Sequence, residues 1–428
     1  MIGSLFGSLF GLIGIGTYVF AAMALSATFV LVLRGDIPLS VIAQEMVRGI
    51  DAPSLVAVPM YVLVGEVMLI SGITERLVNF SKLLVGHVRG GLAYVGVLAD
   101  MFMGGISGSA VADSVATEAI MLPAMEKAGY RADFAVALNG TASTVGAVIP
   151  PSIPIIFLAL ITNLSVGQLF LGGLVPGVLM SLFLMMALYV VMRHGDFPPG
   201  EPIDRSIRAV LATFKDSFFA LLAPVVIVSG AVLGVVTINE AALLAVAYVL
   251  FVGVVVYRKI RLRDLPGIFL RTAVFSSTLM IIFAAIGPFS LIMARARAAD
   301  RLTALIETLN LGRVGFMIFV IVLLLILGMV IDGLAIILLF VPVLLPAGVA
   351  LGLDPIHLSI LMVLALVIGL ITPPMGALLF VMTKMSGVPF EKIVRANMPF
   401  LFVLILLVVV IAAFEDLVTW VPRAVFGT

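Results

Sequence analysis

From Met398 to Phe414 the chain reads MPFLFVLILLVVVIAAF, without one charged or amide side chain. Phe316 to Ile331 does the same as FMIFVIVLLLILGMVI. Runs this long and uniform constrain the fold more than any other feature. A helix needs about 20 mainly apolar residues to cross a bilayer. Lipid offers the backbone no hydrogen-bond partner, so only helices or a closed barrel are stable within it. Barrel strands alternate apolar and polar side chains, whereas these runs are continuous, which leaves helices. Composition agrees: 63% of the 428 residues are hydrophobic and 11% are charged, against about 25% charged in a soluble domain. That much apolar sequence supplies roughly ten to thirteen crossings. The expected fold is an all-α polytopic membrane protein. The first residues, MIGSLFGSLFGLIGIGTYVF, lack a basic leader, and their apolar run continues to Leu33. They read as a retained membrane helix rather than a cleaved signal peptide.

Cysteine is absent from the sequence, which removes disulfides, thiolate metal sites and cysteine nucleophiles together. The three histidines, His87, His194 and His357, are far apart in sequence, so no histidine-built metal or haem site is expected. A net charge of +1 gives no reason to expect nucleic acid as a partner.

The chain repeats itself. Gly105 plus 223 gives Gly328, and the same offset maps Leu122-Pro123 onto Leu345-Pro346 and Gly129 onto Gly352. It maps Gly146 onto Gly369, Pro150-Pro151 onto Pro373-Pro374, and Pro176 onto Pro399. Matched Gly and Pro carry weight in so apolar a chain, where matched Leu or Val would not. The longest polar break, 193–216, lies near the midpoint. Two halves are expected. Residues 1–216 would hold a hairpin at about 100–127 and a broken helix at about 132–164. Residues 217–428 would hold a hairpin at about 326–350 and a broken helix at about 356–386.

The stretches VGAVIPPSIP (145–154) and VIGLITPPMG (367–376) are twins in this register. Proline removes a backbone donor and clashes with the carbonyl four residues back, and it pushes its preceding residue out of helical geometry. Each double proline should unwind about one turn. Such a break is tolerated at membrane depth where it is packed by protein or lines a polar cavity. A plain packed kink accounts for one such break. Two at matched positions point to the binding site of a repeat-built secondary transporter.

About forty residues before each break lies a second matched element, MGGISGSAVADSVATEAIMLPAM (103–125) and GMVIDGLAIILLFVPVLLPA (328–347). The first is short for a crossing plus a turn, so a re-entrant hairpin is expected. Gly105, Ser107, Gly108 and Ser109 permit an irregular tip that a ligand can approach closely. Asp113 follows Ser109 by four residues and shares its helical face, and Asp332 stands opposite Ser109 in the 223 register. An acid within the membrane is a functional candidate by default. Of Glu66, Asp100, Asp113, Glu118 and Asp332, the two beside Gly-rich tips, Asp113 and Asp332, are favoured to hold a cation or brace its ligands. Glu66 and Asp100 have no twin and are expected to hydrogen-bond a neighbouring helix.

The stretches GGISGSAVADSVATEAIMLPAMEKAGY, TASTVGAVIPPSIPIIF, NEAALLAVAYVLFVGVVVYRKIRLRDL, GMVIDGLAIILLFVPVLLPAGVALGLDPIH and IGLITPPMGALLF resemble the large membrane subunit of tripartite ATP-independent periplasmic (TRAP) transporters, the DctM-like family. The similarity runs through nearly the whole chain in the family's order. Three features depart from the family pattern. Val236-Thr237-Ile238-Asn239-Glu240 stands where Thr-Pro-Thr-Glu is common, Asp100 replaces a small or neutral residue, and SLIMARARAADRLT (290–303) is unusually basic.

The resemblance implies inverted repeats, scaffold and transport domains of the elevator type, and sodium-driven uptake of an organic acid across the bacterial inner membrane. The acid would be a C4-dicarboxylate, sialic acid or another sugar acid. The implied partners are a small four-helix membrane subunit (DctQ-like), expected as a separate polypeptide, and a periplasmic substrate-binding protein (DctP-like). No cofactor is implied beyond the coupling sodium. Carried over by motif, one sodium would lie between the first tip (Gly105, Ser107, Ser109) and the second break (Gly369, Thr372, Pro373). Another would lie between the second tip (Gly328, Asp332, Gly333) and the first break (Thr141, Gly146, Pro150). Inverted symmetry suggests this crossed pairing, and pairing of each tip with its own half's break is equally open. Asp113 would brace the first site. For the anionic substrate, half-helix N-termini after Pro151 and Pro374 would supply amides. The candidate contacts are Gly108, Thr141, Ser143, Thr144, Ser152, Pro374, Met375 and Gly376.

Two rival readings are weaker. A divalent-anion/sodium symporter-like carrier has the same twin-hairpin plan and needs no binding protein. Gly105-Ile106-Ser107-Gly108 matches the Gly-x-Ser-Gly of intramembrane serine proteases, with Ser107 as nucleophile, but no histidine is placed to act as its base. Lys and Arg crowd the loops at 74–89, 193–215 and 258–264, which places those loops in the cytoplasm by the positive-inside rule. Stretches 74–89 and 295–311 read as amphipathic helices at the interface.

Overall fold

The computed structural model describes residues 1–35, 38–195, 197–200, 206–232, 237–308 and 311–427. Arg205, in the basic 193–215 loop, and Val236, in the departure from the family pattern, lie outside these ranges. The described residues form twenty α-helices and no strand, as continuous apolar runs require. Among the described residues six helices are long and apolar enough to cross a membrane, or seven if the bent pair Ala57–Ser71 and Ile73–Val85 is one span. Seven further apolar helices have only 10–17 residues. The expectation of ten to thirteen crossings counted apolar residues alone. Many of those residues sit instead in half-length helices that glycine and proline interrupt.

The N-terminal apolar run is one such case. It forms two helices, Ile2–Gly14 and Val19–Arg34, which pack together. Gly16 at φ 87° gives the left-handed turn between them, which favours glycine.

One helical hairpin dominates the centre of each half. In the first, Gly91–Ser107 leads to Ala110–Lys127, with Gly108 in the left-handed region between them. In the second, Arg313–Gly328 leads to Gly333–Ala350. Both begin well before the sequence-based starts at 100 and 326. The polar residues mark the tips, while the incoming legs carry ordinary apolar sequence that resembles any other spanning helix.

Each hairpin is followed by a broken helix. The first comprises Ala132–Ser143, a 3₁₀ turn Thr144–Ala147, an irregular stretch through both prolines, and Ile153–Thr162. The second comprises Pro355–Gly369 and Ala377–Ser386, separated by seven non-helical residues. Both Pro-Pro bonds are cis. Adding 223 to the bounds of Ala110–Lys127 gives those of Gly333–Ala350, and adding it to Ala132 gives the first residue of Pro355–Gly369.

The outgoing leg Gly333–Ala350 packs on Ile153–Thr162, and its counterpart Ala110–Lys127 packs on Ala377–Ser386. The two halves therefore interlock through the segments that follow the tips and breaks. Around them, Ala57–Ser71 packs on Ile238–Phe251, and Ser40–Ile50 on Leu265–Arg295. The departure at 236–240 has a local account. Thr237 and Glu240 form a reciprocal cap at the start of Ile238–Phe251, satisfying two amides that a helix start leaves unpaired. The stretches read as amphipathic are the helices Ile73–Val85 and Ala298–Thr308.

Candidate functional site

The first tip is built for close backbone approach. Gly108 carries its carbonyl to the amide of Ile153, 3.1 Å away, and so ties the tip to the helix that follows the first break. A Cβ on Gly108 would lie 2.2 Å from the Pro151 carbonyl oxygen, and one on Gly104 would lie 2.3 Å from the Gly146 Cα. Gly105 faces Pro224, with the Pro150 carbonyl oxygen beyond. Ser109 caps Ala110–Lys127 by accepting from the Ala112 amide. Ser107 donates to the Asp113 carboxylate and accepts from the Ser109 amide at 3.2 Å. The second oxygen of Asp113 lies against Gly146, where a Cβ would meet it at 2.0 Å. Asp113 thus holds the serine of the tip through one oxygen, while the other packs on the glycine of the break without a hydrogen-bond partner among the described residues.

The second tip repeats this contact. A Cβ on Gly328 would lie 3.0 Å from the Gly369 Cα, and the Gly376 amide donates to the Met329 carbonyl at 3.1 Å. Asp332 caps Gly333–Ala350 by accepting from the Leu334 and Ala335 amides, the role Ser109 has in the other half. Gly333 packs on Leu366, and Thr372 donates to the Ile368 carbonyl.

Of the two tip-to-break pairings that the sequence leaves open, these contacts are the ones within each half. Each tip sits on the break of its own half. A hairpin and the broken helix that follows it are chain neighbours, so short connections bring them together. The halves differ in exposure: Gly146, Pro150, Pro151 and Ser152 are buried, while Asp332, Pro374 and Met375 are exposed.

The hydroxyls expected to contact substrate are already committed as donors. Thr144 donates to the Thr141 carbonyl, Ser143 to Gly140 and Ser152 to Ala147, and Ser152 also caps the helix after the break. Thr141 donates to the Asn397 side chain, whose amide donates to the Ile371 carbonyl at 2.9 Å. Asn397 thus ties the first broken helix to the second break, and no sequence pattern singled it out.

A cavity of about 240 Å³ opens beside the first tip, lined by Ser107, Ser109, Tyr61, Glu66 and Phe275 among others. Glu66 pairs with Arg271 at 2.7 Å, an ionic form of the neighbouring-helix contact expected for it. The Tyr61 hydroxyl is buried without a hydrogen-bond partner among the described residues. Tyr61, Arg271 and Phe275 belong to Ala57–Ser71 and Leu265–Arg295 and lie far from both motifs in sequence.

A transporter-like plan of this kind has relatives. The family profile of the tripartite ATP-independent periplasmic transporter, DctM component, matches residues 6–417. The chain belongs to this family. It is 34% identical over 427 residues to the sialic acid TRAP transporter large permease protein SiaM of Vibrio cholerae, covering 100% of this chain and 99% of that one. It is 35% identical over 390 residues to the C4-dicarboxylate TRAP transporter large permease protein DctM of Pseudomonas aeruginosa, covering 91% of each. It is also 34% identical over 412 residues to the 2,3-diketo-L-gulonate TRAP transporter large permease protein YiaN of Escherichia coli, covering 96% of each. Among solved structures, the Alcanivorax borkumensis YdaH transporter superposes with a TM-score of 0.62 at 13% identity, covering 88% of this chain and 87% of that one. That likeness concerns the fold alone.

As a DctM permease the chain is a transport protein of the bacterial inner membrane and not an enzyme. Ser107, the residue a protease reading would use, has Asp113 and not a histidine as its partner. One feature of this DctM chain differs from expectation. Asp100, on the incoming leg of the first hairpin, is fully buried and neither oxygen has a hydrogen-bond partner among the described residues. Glu118, on the outgoing leg, is held only through one oxygen, by Asn139 at 3.4 Å.

Proposed function

We propose that the chain is the sodium-coupled large permease subunit of a TRAP transporter and moves an organic acid anion inward by an elevator motion. The observation that carries this reading is the paired seating of each Gly-rich tip on its own double-proline break. Two such junctions, related by one 223-residue offset, are what an inverted-repeat transporter uses to bind cation and solute near the midplane. The halves 1–216 and 217–428 would be the repeats, with hairpins and broken helices forming the moving domain and the surrounding helices the scaffold.

In this reading the first sodium site draws on Gly105, Ser107 and Ser109 with Gly146 and Pro150, and Asp113 braces it. The second draws on Gly328, Asp332 and Gly333 with Gly369, Thr372 and Pro373. Sodium is a hard cation and takes oxygen ligands, which unwound backbone and half-helix ends supply. The substrate would enter the cavity between the first tip and the scaffold helices. Tyr61 and the Ser107–Ser109 tip would contact it there, rather than the committed hydroxyls of Ser143 and Thr144. The named relatives carry sialic acid, a C4-dicarboxylate and 2,3-diketo-L-gulonate, and all three are carboxylates. A small membrane subunit and a periplasmic binding protein would complete the transporter.

The test is uptake into proteoliposomes containing this chain and its small subunit, with the binding protein outside. Radiolabelled carboxylates should accumulate only with an inward sodium gradient and the binding protein present. Accumulation without the binding protein would instead support a divalent-anion/sodium symporter-like carrier. Accumulation unaffected by removing sodium would overturn the coupling.

A further inference from the structure

A cleft of about 1090 Å³ opens where three segments meet. These are the 129–134 connection, the end of Val166–His194, and the 386–389 connection ahead of Phe390–Ala413. It belongs to neither junction described above. Four basic groups line it: Arg131, His194, Lys392 and Arg395. Among the described residues the one acid lining it, Asp133, is paired with Arg131 and accepts from the Phe134 amide. Lys392 and Arg395 make no ion pair among the described residues. Helices Ala132–Ser143 and Phe390–Ala413 begin here while Val166–His194 and Ala377–Ser386 end here, so the helix dipoles offset one another and the positive charge of the cleft comes from its side chains.

The apolar side of this site is as informative as the charge. Lys392 and Arg395 share a stripe of helix Phe390–Ala413 with Pro399, Phe402, Leu406 and Val409. The spacing of three and four residues keeps all six on one face. Pro399 lines the cleft, and beyond it Phe402, Leu406 and Val409 are 70%, 44% and 56% exposed. The stripe therefore runs from two cations at the helix start to an uncovered apolar surface in the membrane. A soluble anion would match the first part and leave the second unused. A phospholipid matches both, with its phosphate at the cations and its acyl chain along the stripe. Basic pockets between transmembrane helices on the cytoplasmic side bind such headgroups. The basic segment at 193–215, whose start lines this cleft, is placed on that side by its Lys and Arg excess.

We propose that the cleft lined by residues 129–134, by His194, Gly195 and Phe197, and by residues of 386–399 binds an anionic phospholipid, its headgroup phosphate held by Lys392 and Arg395. The proposal does not depend on the cargo or its coupling ion. To test it, the full chain is purified in mild detergent and mixed with phosphatidylcholine and phosphatidylglycerol, and retained lipid is measured by mass spectrometry. Wild type should retain phosphatidylglycerol in preference. The Lys392→Gln/Arg395→Gln variant should lose that preference by about fivefold per removed charge, or roughly twenty-five-fold in all. The charge-conserving Lys392→Arg/Arg395→Lys variant should keep it. On wild type alone, which removes any concern over folding of variants, cardiolipin should displace phosphatidylglycerol and inorganic phosphate should not. Equal retention by wild type and the Gln variant would overturn the proposal. So would displacement by inorganic phosphate, which marks a soluble-anion site. Loss of all retention when the small subunit is added would do the same, because the stripe would then be a protein interface.

Discussion

One carboxylate oxygen of Asp113 occupies the space where a side chain on Gly146 would begin. The two residues lie on different elements, the outgoing leg of the first hairpin and the 3₁₀ turn before the first double proline. A methyl at Gly146 would stand 2.0 Å from that oxygen and 3.0 Å from the Gly104 Cα. The backbone of Gly104 has little room to move, so Asp113 must move and release Ser107. Overpacking of this kind costs about 1–3 kcal/mol. Gly146→Ala is expected to lower sodium-stimulated uptake at least tenfold, by about 1.4 kcal/mol or more, while leaving membrane insertion intact. Uptake at the wild-type rate and sodium affinity would remove this contact from the site.

Asp332 separates a structural role from a functional one. Its side chain accepts from the Leu334 and Ala335 amides at the start of Gly333–Ala350. Asn caps a helix about as well as Asp, whereas Ala costs about 1 kcal/mol. Asp332→Asn should therefore melt with the wild type and yet need a higher sodium concentration for half-maximal uptake. If only Asp332→Ala changes anything, the residue is a cap and no more.

The punctuation of the chain was legible because glycine and proline act locally. A break at Pro150-Pro151 or a turn at Gly108 follows from one residue's own backbone, so position in sequence is position in the structure. Contacts between distant segments carry no such mark. Asn397 reaches Thr141 across 256 residues, and nothing around it in MPFLFVLILL distinguishes it from a polar residue at a membrane edge. Each tip's choice of its own break is likewise set by short chain connections, which the symmetry of the pattern obscured. The hydroxyls at 141–144 were legible as a cluster but not as donors already spent on nearby carbonyls. That distinction depends on which rotamer the packing leaves open.

Tyr61 offers a test of where substrate binds. Its ring is buried against the first hairpin, its hydroxyl has no partner among the described residues, and it lines the cavity beside Ser107 and Ser109. A buried polar group left unsatisfied costs about 1–3 kcal/mol, so removing it should not harm the fold. Tyr61→Phe is expected to leave the melting temperature equal or higher and to raise the KM for substrate about tenfold, the effect of losing one hydrogen bond to a charged group. An unchanged KM would place the substrate elsewhere.

Asp100 poses the same question more sharply, because it is an acid. It is fully buried in the incoming leg of the first hairpin, and neither oxygen has a hydrogen-bond partner among the described residues. Burying a carboxyl without a partner destabilises the folded chain, and no contact among the described residues offsets that cost. The fold alone therefore favours replacement. Asp100→Asn, which keeps the shape and removes the acid, should raise the melting temperature by a few degrees, as a gain of about 1 kcal/mol does for a large domain. If the acid serves transport, the same variant should carry substrate more slowly despite its greater stability, a pairing seen where a site keeps a destabilising group for function. Thermal melts and sodium-driven uptake on one preparation separate the outcomes. A variant both more stable and equally active would leave Asp100 as a tolerated defect in packing, and a less stable one would mean that a bound water or ion satisfies it.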